Sequence, residues 1–495
     1  MLFNSHIFLF VFLPLTLLGF YLLGRIPRGK TLCLGWLLAA SYLFYGYWNP
    51  PFLLLLVGLT LANFLAASII RRAPRKTARW ICHAAVLGNL AVLAYYKYAL
   101  FFLGILSPWT GNPDWLPEII LPIGLSFYTF QQIAFLRDTL THPESTRFSL
   151  LEYAFLIAFF PQLIAGPIIH HHELLPQCSS AFNRFRLRRF APGIALFLIG
   201  LCKKAVFADR IAPISNLMFD TAAAGTLPGT ADAWIGTIAY SLQLYFDFSG
   251  YSDMACGLAL MFNFKLPVNF DSPYQSTSIV EFWRRWHITL SRFLRDYLYI
   301  PLGGSRGTGT RTILILITTM LLGGLWHGAG WTFVIWGGYH GCALAINHLW
   351  KRLASTGKVP NLPRLIAWPL TLIVIMIGWV FFRAENLTIA TGIISRLFSL
   401  TPPTTDLWET VKSNQFVVMA ILGIATLTLP NSHRWLARTR PAITASLPPA
   451  ATIWNLKKLR PALLLHPLGA LTLGILFIII LFNMPAVSEF IYFQF

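Results

Sequence analysis

The run FLLLLVGLTLANFLAASII, residues 52–70, contains no charged residue and is long enough to cross a bilayer. A membrane-spanning helix needs about 20 predominantly apolar residues. A helix is the expected form, because lipid offers the backbone no hydrogen-bond partners outside the segment itself. The run follows the turn at Asn49–Pro51 and precedes the basic cluster of residues 71–79. This stretch therefore predicts a transmembrane helix between two polar connections.

Similar apolar runs recur along the whole chain, in which 56% of residues are hydrophobic and 11% are charged. A soluble domain carries roughly 25% charged residues. We expect an all-α polytopic membrane protein of about 10–12 transmembrane helices plus re-entrant or interfacial helices, forming a single domain over residues 1–495. The uninterrupted runs lie at 6–24, 31–48, 52–70, 81–106, 119–137, 191–208, 233–262, 364–382, 415–430 and 464–483. Pieces broken by Pro, Gly or charges, which predict re-entrant or tilted helices, lie at 151–169, 276–300 and 312–349.

The formal net charge of +20 is concentrated in short clusters between apolar runs. Loops 25–30 and 71–79 are basic, whereas loop 107–118 contains no Lys or Arg. By the positive-inside rule the basic loops are cytoplasmic and the N-terminus is outside, and alternation of the uninterrupted runs returns the C-terminus to the outside. We therefore interpret the net charge mainly as a determinant of membrane topology, with attraction to anionic lipid headgroups as a secondary effect. Binding to nucleic acid is not expected.

The first candidate functional residue is His327, in LLGGLWHGAGW at residues 321–331, beside Trp326. The glycines around it allow another backbone or a ligand to approach closely. An imidazole with an ordinary pKa of about 6.5 can act as a general base at neutral pH. A hydrogen-bonded structural histidine is an equally open interpretation at this point.

The second candidate is the segment EFWRRWHITLSRFLRDYLYIPLGG, residues 281–304, in which aromatic residues alternate with arginines. This pattern predicts an amphipathic helix at the cytoplasmic interface. Two interpretations remain open. In the first, the arginines of this segment contact lipid phosphates. In the second, Arg284 and Arg285 bind the phosphates of a substrate such as coenzyme A, and His287 points into the site.

Two carboxylates lie in the apolar segment SLQLYFDFSGYSDMACG, residues 241–257. Asp247 and Asp253 are placed on different faces of a helix by their spacing, which argues against a paired acid and base. We expect them to form ion pairs with the arginines of residues 284–295. Lys203 and Lys204, near another apolar run, are predicted to extend their ammonium groups to a membrane interface.

The segment HHHE, residues 170–173, is the strongest concentration of potential metal ligands. Three adjacent histidines cannot all face one metal from a helix, and the six cysteines are scattered without ligand-like spacing. We therefore predict a polar interfacial turn here and no metal site.

With these motifs set out, the sequence resembles the membrane-bound O-acyltransferase family, and most closely its bacterial branch of alginate O-acetylases, peptidoglycan O-acetyltransferases and the teichoic-acid D-alanylation protein. The resemblance implies a funnel-like helical membrane fold with a tunnel from the cytoplasmic side. It also implies that His327 is the catalytic histidine and His287 the second histidine of the family. The motifs that carry it are SYLFYGYW (41–48), LPIGLSFYTFQ (121–131), FFPQLIAGPI (159–168), LQLYFDFSGYSDMA (242–255), NFDSPYQSTSIVEFWRRWHITLSRFLRDYLYIPLGG (269–304) and GLWHGAGWTFVIWGGYHG (324–341).

The resemblance further implies transfer of an acetyl group from a cytoplasmic thioester to hydroxyls of an extracytoplasmic polysaccharide such as alginate, peptidoglycan or cellulose. The donor is acetyl-CoA or an acyl carrier, and no bound cofactor is expected. A separate periplasmic Ser-His-Asp-type O-acetyltransferase is the implied partner, at a bacterial inner membrane with both termini periplasmic. Arg284, Arg285, Trp326 and Asp253 are candidates for donor binding or site support. A transporter of an acyl donor or sugar precursor, or a structural anchor for a secretion complex, is the alternative.

The chain closes with the aromatic segment EFIYFQF, residues 489–495, within a tail of residues 484–495. An interfacial anchor is one interpretation, because aromatic side chains favour headgroup depth. The resemblance supplies another, in which the hydroxyl of Tyr492 accepts the acyl group and passes it to the periplasmic enzyme. A phenol is a better leaving group than an alkyl alcohol, since its pKa is about 10.

Overall fold

A computed structural model describes the chain except for residues 28, 111–118, 180, 183–184, 307–308, 404–412, 438–466, 483, 485–489 and 492–495. Every regular element in the described part is helical, which confirms the predicted all-α class. The helices of the N-terminal part are α1 (Leu13–Leu23), α2 (Gly29–Gly46), α3 (Pro50–Arg72), α4 (Arg75–Leu93), α5 (Ala99–Thr110), α6 (Leu125–Thr141), α7 (Leu150–Ala158), α8 (Phe160–Leu163), α9 (His171–Leu174) and α10 (Leu187–Cys202).

The later part of the chain contains both long and short helices. Short π-helical segments extend four of the helices, at Phe8–Phe12, Ala94–Tyr98, Lys203–Ala208 and Arg295–Tyr299. The remaining α-helices are α11 (Asp209–Ala223), α12 (Thr230–Met261), α13 (Ile279–Trp283), α14 (Ile288–Leu294), α15 (Gly309–His327), α16 (Trp331–Ser355), α17 (Arg364–Arg383), α18 (Leu387–Leu397), α19 (Ser413–Thr428), α20 (Ser432–Ala437) and α21 (Pro467–Phe482). Single 3₁₀ turns lie at Pro143–Thr146, Leu175–Ser179 and Pro273–Gln275.

The internal contacts divide the chain into two compact units. The first unit contains Met1–Leu198 and Ser252–Pro267, and the second contains Ile199–Tyr251, Val268–Met484 and the C-terminal residues from Phe490 onward. The expectation of a single domain stays a prediction.

Within the described residues, five helical stretches are long and apolar enough to cross a membrane. The chain is therefore a multi-pass membrane protein, as predicted, and the total of about 10–12 crossings stays a prediction. The five stretches are Pro50–Arg72, Arg75–Ser107, Leu187–Ala223, Gly309–His327 and Arg364–Arg383, and shorter apolar helices lie at Phe8–Leu23, Leu387–Leu397, Asn414–Thr428 and Leu471–Phe482.

The structure differs from expectation at residues 312–349, which form two helices where one interrupted piece was predicted. Helices α15 and α16 pack as an antiparallel hairpin, in which Gly324 faces Gly337 and Ile317 faces Gly341. A Cβ atom on Gly337 would collide with the carbonyl oxygen of Met320, so only glycine allows the backbones to come this close. A hairpin of two crossings would leave the chain on its original side, so the expected orientation of the termini would not change.

The second difference lies in residues 281–304, where one amphipathic helix was predicted. The structure breaks this segment into α13 and α14, with His287 between them at φ 42° and ψ 53°. Non-glycine residues rarely adopt this left-handed conformation, and such strain persists where surrounding packing demands it. The break directs the imidazole of His287 into the protein interior. A continuous amphipathic helix would not place it there.

Candidate functional site

The two histidines that the sequence singled out lie next to each other in the second unit. The ring centroids of His287 and His327 are 6.4 Å apart. His287 is fully buried and His327 is 5% exposed. Trp326 completes the group, with its ring centroid 4.8 Å from that of His327 and 6.2 Å from that of His287. The fold thus brings the FWRRWH and GLWHG motifs together.

The orientation of His287 is set by Asn269. The Oδ1 atom of Asn269 accepts hydrogen bonds from the backbone N–H of Thr289 (3.2 Å) and from its hydroxyl (2.9 Å), so this atom is an acceptor. It also lies 3.2 Å from Nδ1 of His287. The assignment that satisfies all three contacts puts the proton of His287 on Nδ1 and leaves Nε2 as the basic nitrogen.

Burial also sets the charge of His287, which lies in the turn between two short helices and outside the spanning stretches. Loss of water around the ring lowers the pKa of His287 to about 3. The imidazole is therefore neutral at physiological pH and able to accept a proton or a hydrogen bond.

Two further aromatic rings pack against His327. The ring of Trp336 lies 5.0 Å away edge-on, and that of Phe382 lies 5.3 Å away. Both rings belong to the buried core of the second unit. Such walls exclude water, which strengthens electrostatic interactions inside the site and protects a reactive acyl donor from hydrolysis.

A further buried histidine, His340 on α16, was missed by the sequence analysis. Its ring is fully buried, 5.3 Å from Trp283 and 5.0 Å from Trp336. Neither ring nitrogen has a hydrogen-bond partner in the part of the chain that the structure describes. The signal was present in the sequence, because an ionisable residue in an apolar helix is by default a functional candidate.

The two candidate arginines occupy different environments. Arg285 is buried, and its Nη2 atom lies 2.7 Å from Oε1 of Glu281, while its Nη1 atom donates to the carbonyl oxygen of Asp271 at 3.2 Å. Burial acts to raise the pKa of Glu281, but hydrogen bonds from Thr277 and the charge of Arg285 hold that pKa below its usual value. Arg284 is exposed. Arg285 thus stabilises the turn before His287. Arg284 remains the candidate for binding the phosphates of the donor.

The expected pairing of Asp247 with the arginines of 284–295 is wrong. Its Oδ1 atom lies 2.7 Å from Nζ of Lys204, which also lies 2.9 Å from Oδ1 of Asp209. Lys204 and Lys203 are both buried, so the prediction that they extend to an interface is wrong as well. A desolvated ammonium group is stable only beside a compensating charge, and Asp247 provides one. Asp253 is buried on the same helix but belongs to the first unit.

The HHHE segment lies in the first unit around the start of α9. Asp138, His170 and His172 offer ligand atoms within 4.8 Å of one another, and Nδ1 of His171 lies 3.3 Å from Oδ2 of Asp138. His171 is not a member of this group, which agrees with the argument that three adjacent histidines cannot all face one metal. The expectation that no metal binds stays a prediction.

Tyr492, the predicted acyl carrier, lies outside the described residues, although Phe490 and Ile491 are described.

These features define a helical integral membrane protein with a buried, water-excluding histidine pair. The family model of MBOAT, the membrane-bound O-acyltransferase family, matches residues 126–391, a range that contains both histidines. The chain belongs to this family and is an acyltransferase.

Several relatives match most of the chain. The peptidoglycan O-acetyltransferase of Helicobacter pylori is 42% identical over 81% of this chain and 80% of its own length. The "probable alginate O-acetylase AlgI" of Azotobacter vinelandii is 45% identical over 81% of this chain and 78% of its own length. The teichoic acid D-alanyltransferase of Streptococcus thermophilus is more distant, at 27% identity over 47% of this chain and 58% of its own length.

Proposed function

We propose that this protein moves an acetyl group from a cytoplasmic thioester, acetyl-CoA or an acyl carrier, to a hydroxyl on the far side of a bacterial inner membrane for O-acetylation of a polysaccharide. The observation that carries the proposal is the buried pair of His287 and His327, enclosed by aromatic rings. The names of the two similar relatives, which act on peptidoglycan and alginate, support the substrate class.

His327 is the general base in this proposal. It removes the proton from the acceptor hydroxyl while the oxygen attacks the thioester carbonyl carbon. The tetrahedral intermediate then collapses, the carbon–sulfur bond breaks, and the departing thiolate takes the proton back from His327. One ester and one free thiol are formed for each thioester consumed. A thioester is already activated, so alignment, proton transfer and exclusion of water are the main tasks of the protein.

His287 has a supporting role, in which the basic nitrogen of its neutral ring holds a donor or acceptor group. Arg284 is assigned to the phosphates of the donor, because its guanidinium is exposed and planar and forms strong bonds with phosphate oxygens. A separate periplasmic Ser-His-Asp-type transferase completes delivery to the polymer, and both termini of this chain face that side of the membrane.

The decisive experiment uses the purified protein in lipid vesicles, with acetyl-CoA on one side and, on the other, the periplasmic transferase together with oligosaccharides of alginate or peptidoglycan. Free thiol and acetylated sugar are measured together. His327→Ala is expected to lower both rates by roughly 10²- to 10⁴-fold, the usual contribution of a general base. His83→Ala is the matched control, since His83 is exposed on α4 and remote in sequence from the motifs.

The same assay separates the enzyme from the alternative functions. A transporter would move label across the membrane without releasing thiol. A structural anchor would leave His327→Ala indistinguishable from His83→Ala. Thiol release that persists in His327→Ala would contradict the assignment of the base.

A further inference from the structure

The Lys204–Asp247 pair lies in the second unit and has no role in the chemistry described above. Both side chains are only 2% exposed, and their charged atoms are 2.7 Å apart. Burying an ion pair usually costs more than the attraction returns, so such a pair within an apolar region indicates a function beyond stability.

Both members of the pair contact the C-terminal segment. The carboxylate atom Oδ2 of Asp247 accepts a hydrogen bond of 3.0 Å from the backbone N–H of Ile491. The ammonium group of Lys204 lies 4.9 Å from the ring centroid of Phe490. The ring of Tyr251 also contacts the ring of Phe490 edge-on, and the two ring centroids are 4.8 Å apart. Phe490 is 1% exposed and Ile491 is 8% exposed.

The contacts are complementary in charge. A cation is attracted to the negative face of an aromatic ring, and a carboxylate is a strong acceptor for a backbone N–H. The ion pair therefore presents one matching group to each of two consecutive tail residues. Lys204 contacts Oδ1 of Asp247 and also Oδ1 of Asp209 at 2.9 Å, whereas Oδ2 of Asp247 accepts the bond from the tail.

The Lys204–Asp247 pair adjoins the histidine site along α12. The residue after Asp247 is Phe248, whose ring contacts that of His287 edge-on at 4.9 Å. The residue after Ile491 is Tyr492, and consecutive Cα atoms are about 3.8 Å apart. One turn of α12 thus carries both the anchor of the tail and a wall of the histidine site.

We propose that Lys204 and Asp247 form a tail seat, which binds Phe490 and Ile491 and so positions the C-terminal residues for acyl transfer. They are positioning residues and take no part in bond making. The inference that the seat positions the tail for acyl transfer rests on the proposed function, whereas the binding of the tail to the seat does not depend on it.

The first test alters the tail alone. Ile491→Pro removes the N–H that Asp247 accepts, and Ile491→Val keeps it. Hydrogen exchange of the C-terminal peptide is measured by mass spectrometry on the full-length protein, together with acetyl transfer. A hydrogen bond to a charged group corresponds to roughly 10- to 100-fold in an equilibrium constant. Ile491→Pro is expected to speed exchange of the neighbouring amides and to lower transfer by that order, and Ile491→Val is expected to do neither.

The second test alters the seat alone. Lys204→Met combined with Asp247→Leu removes both buried charges together, and the remaining carboxylate of Asp209 is 30% exposed, so water can solvate it. Faster exchange at the C-terminus and slower transfer, with an unchanged thermal midpoint, are expected. Unchanged exchange in both tests overturns the seat. Faster exchange with normal transfer overturns its positioning role. If His327→Ala shows that the proposed function is wrong, hydrogen exchange still decides whether the seat exists.

Discussion

The Oδ1 atom of Asn269 lies 3.2 Å from Nδ1 of His287 and accepts two further hydrogen bonds from Thr289. One amide oxygen therefore fixes the turn between α13 and α14 and the tautomer of the imidazole. His287 adopts a left-handed backbone conformation that is costly for a non-glycine residue, and the contacts of Asn269 help to hold it.

Replacing Asn269 by Asp tests the importance of a neutral His287. A carboxylate keeps the acceptor but favours the imidazolium, so it raises the pKa of His287 from its value of about 3. In the natural protein His287 is neutral above that pH and adds nothing to the pH dependence of the rate. In Asn269→Asp we expect activity to fall as the pH is lowered towards the new pKa, with near-normal activity at alkaline pH.

The measurement is the pH profile of acetyl transfer for the two proteins side by side. Asn269→Ala is the companion variant, since it removes the acceptor and is expected to lower the rate about 10-fold or more at every pH. Superimposable profiles for Asn269→Asp and the natural protein would contradict a requirement for neutral His287.

A second prediction concerns the packing of His340. A Cβ atom on Gly378 would lie 2.6 Å from Nε2 of His340, well inside van der Waals contact. Gly378→Ala is therefore expected to destabilise the protein by about 1–3 kcal/mol, the usual cost of overpacking a core. The measurement is thermal unfolding in detergent.

Gly88→Ala on α4 is the matched control, because a Cβ there meets no atom within 4 Å. Adding His340→Ala to Gly378→Ala should recover part of the loss, since the two positions are in contact and their effects are coupled. Additive effects in this cycle would show that the clash does not arise between these two residues.

The third prediction concerns the neighbouring residues Arg284 and Arg285. Arg284→Gln is expected to raise the KM for acetyl-CoA roughly 10-fold, the size of one lost charge-assisted hydrogen bond. Its thermal midpoint should not change, because Arg284 is exposed. Arg285→Gln is expected to lower the thermal midpoint, because Arg285 links Glu281 to the carbonyl of Asp271. An unchanged KM in Arg284→Gln would remove this residue from donor binding.

Much of the fold follows from local features of the sequence, and the rest depends on distant contacts. The helical class was predictable because lipid requires every backbone bond to be satisfied within a segment. The association of His287 with His327 was predictable from their motifs. The partner of Asp247 was not, because it depends on which faces of two helices meet. The break at His287 was also hidden, since its neighbours include no glycine or proline to mark a turn.

The last prediction concerns Tyr492 and tests whether the tail carries the acyl group. Replacing Tyr492 by Phe removes one hydroxyl and keeps the ring, so membrane insertion and anchoring by aromatic contact should persist. If the hydroxyl is the first acceptor, the natural protein incubated with acetyl-CoA gains one acetyl group on its C-terminal peptide. Tyr492→Phe gains none and loses polysaccharide acetylation.

Tyr47→Phe is the matched control, because Tyr47 is exposed near the end of α2. Mass spectrometry of the C-terminal peptide measures the intermediate, and acetylated polysaccharide measures the product. The seat formed by Lys204 and Asp247 makes the prediction specific, since it holds the residue immediately before Tyr492. Normal polysaccharide acetylation in Tyr492→Phe would reduce the tail to an anchor and would require His327 to activate the hydroxyl of another acceptor.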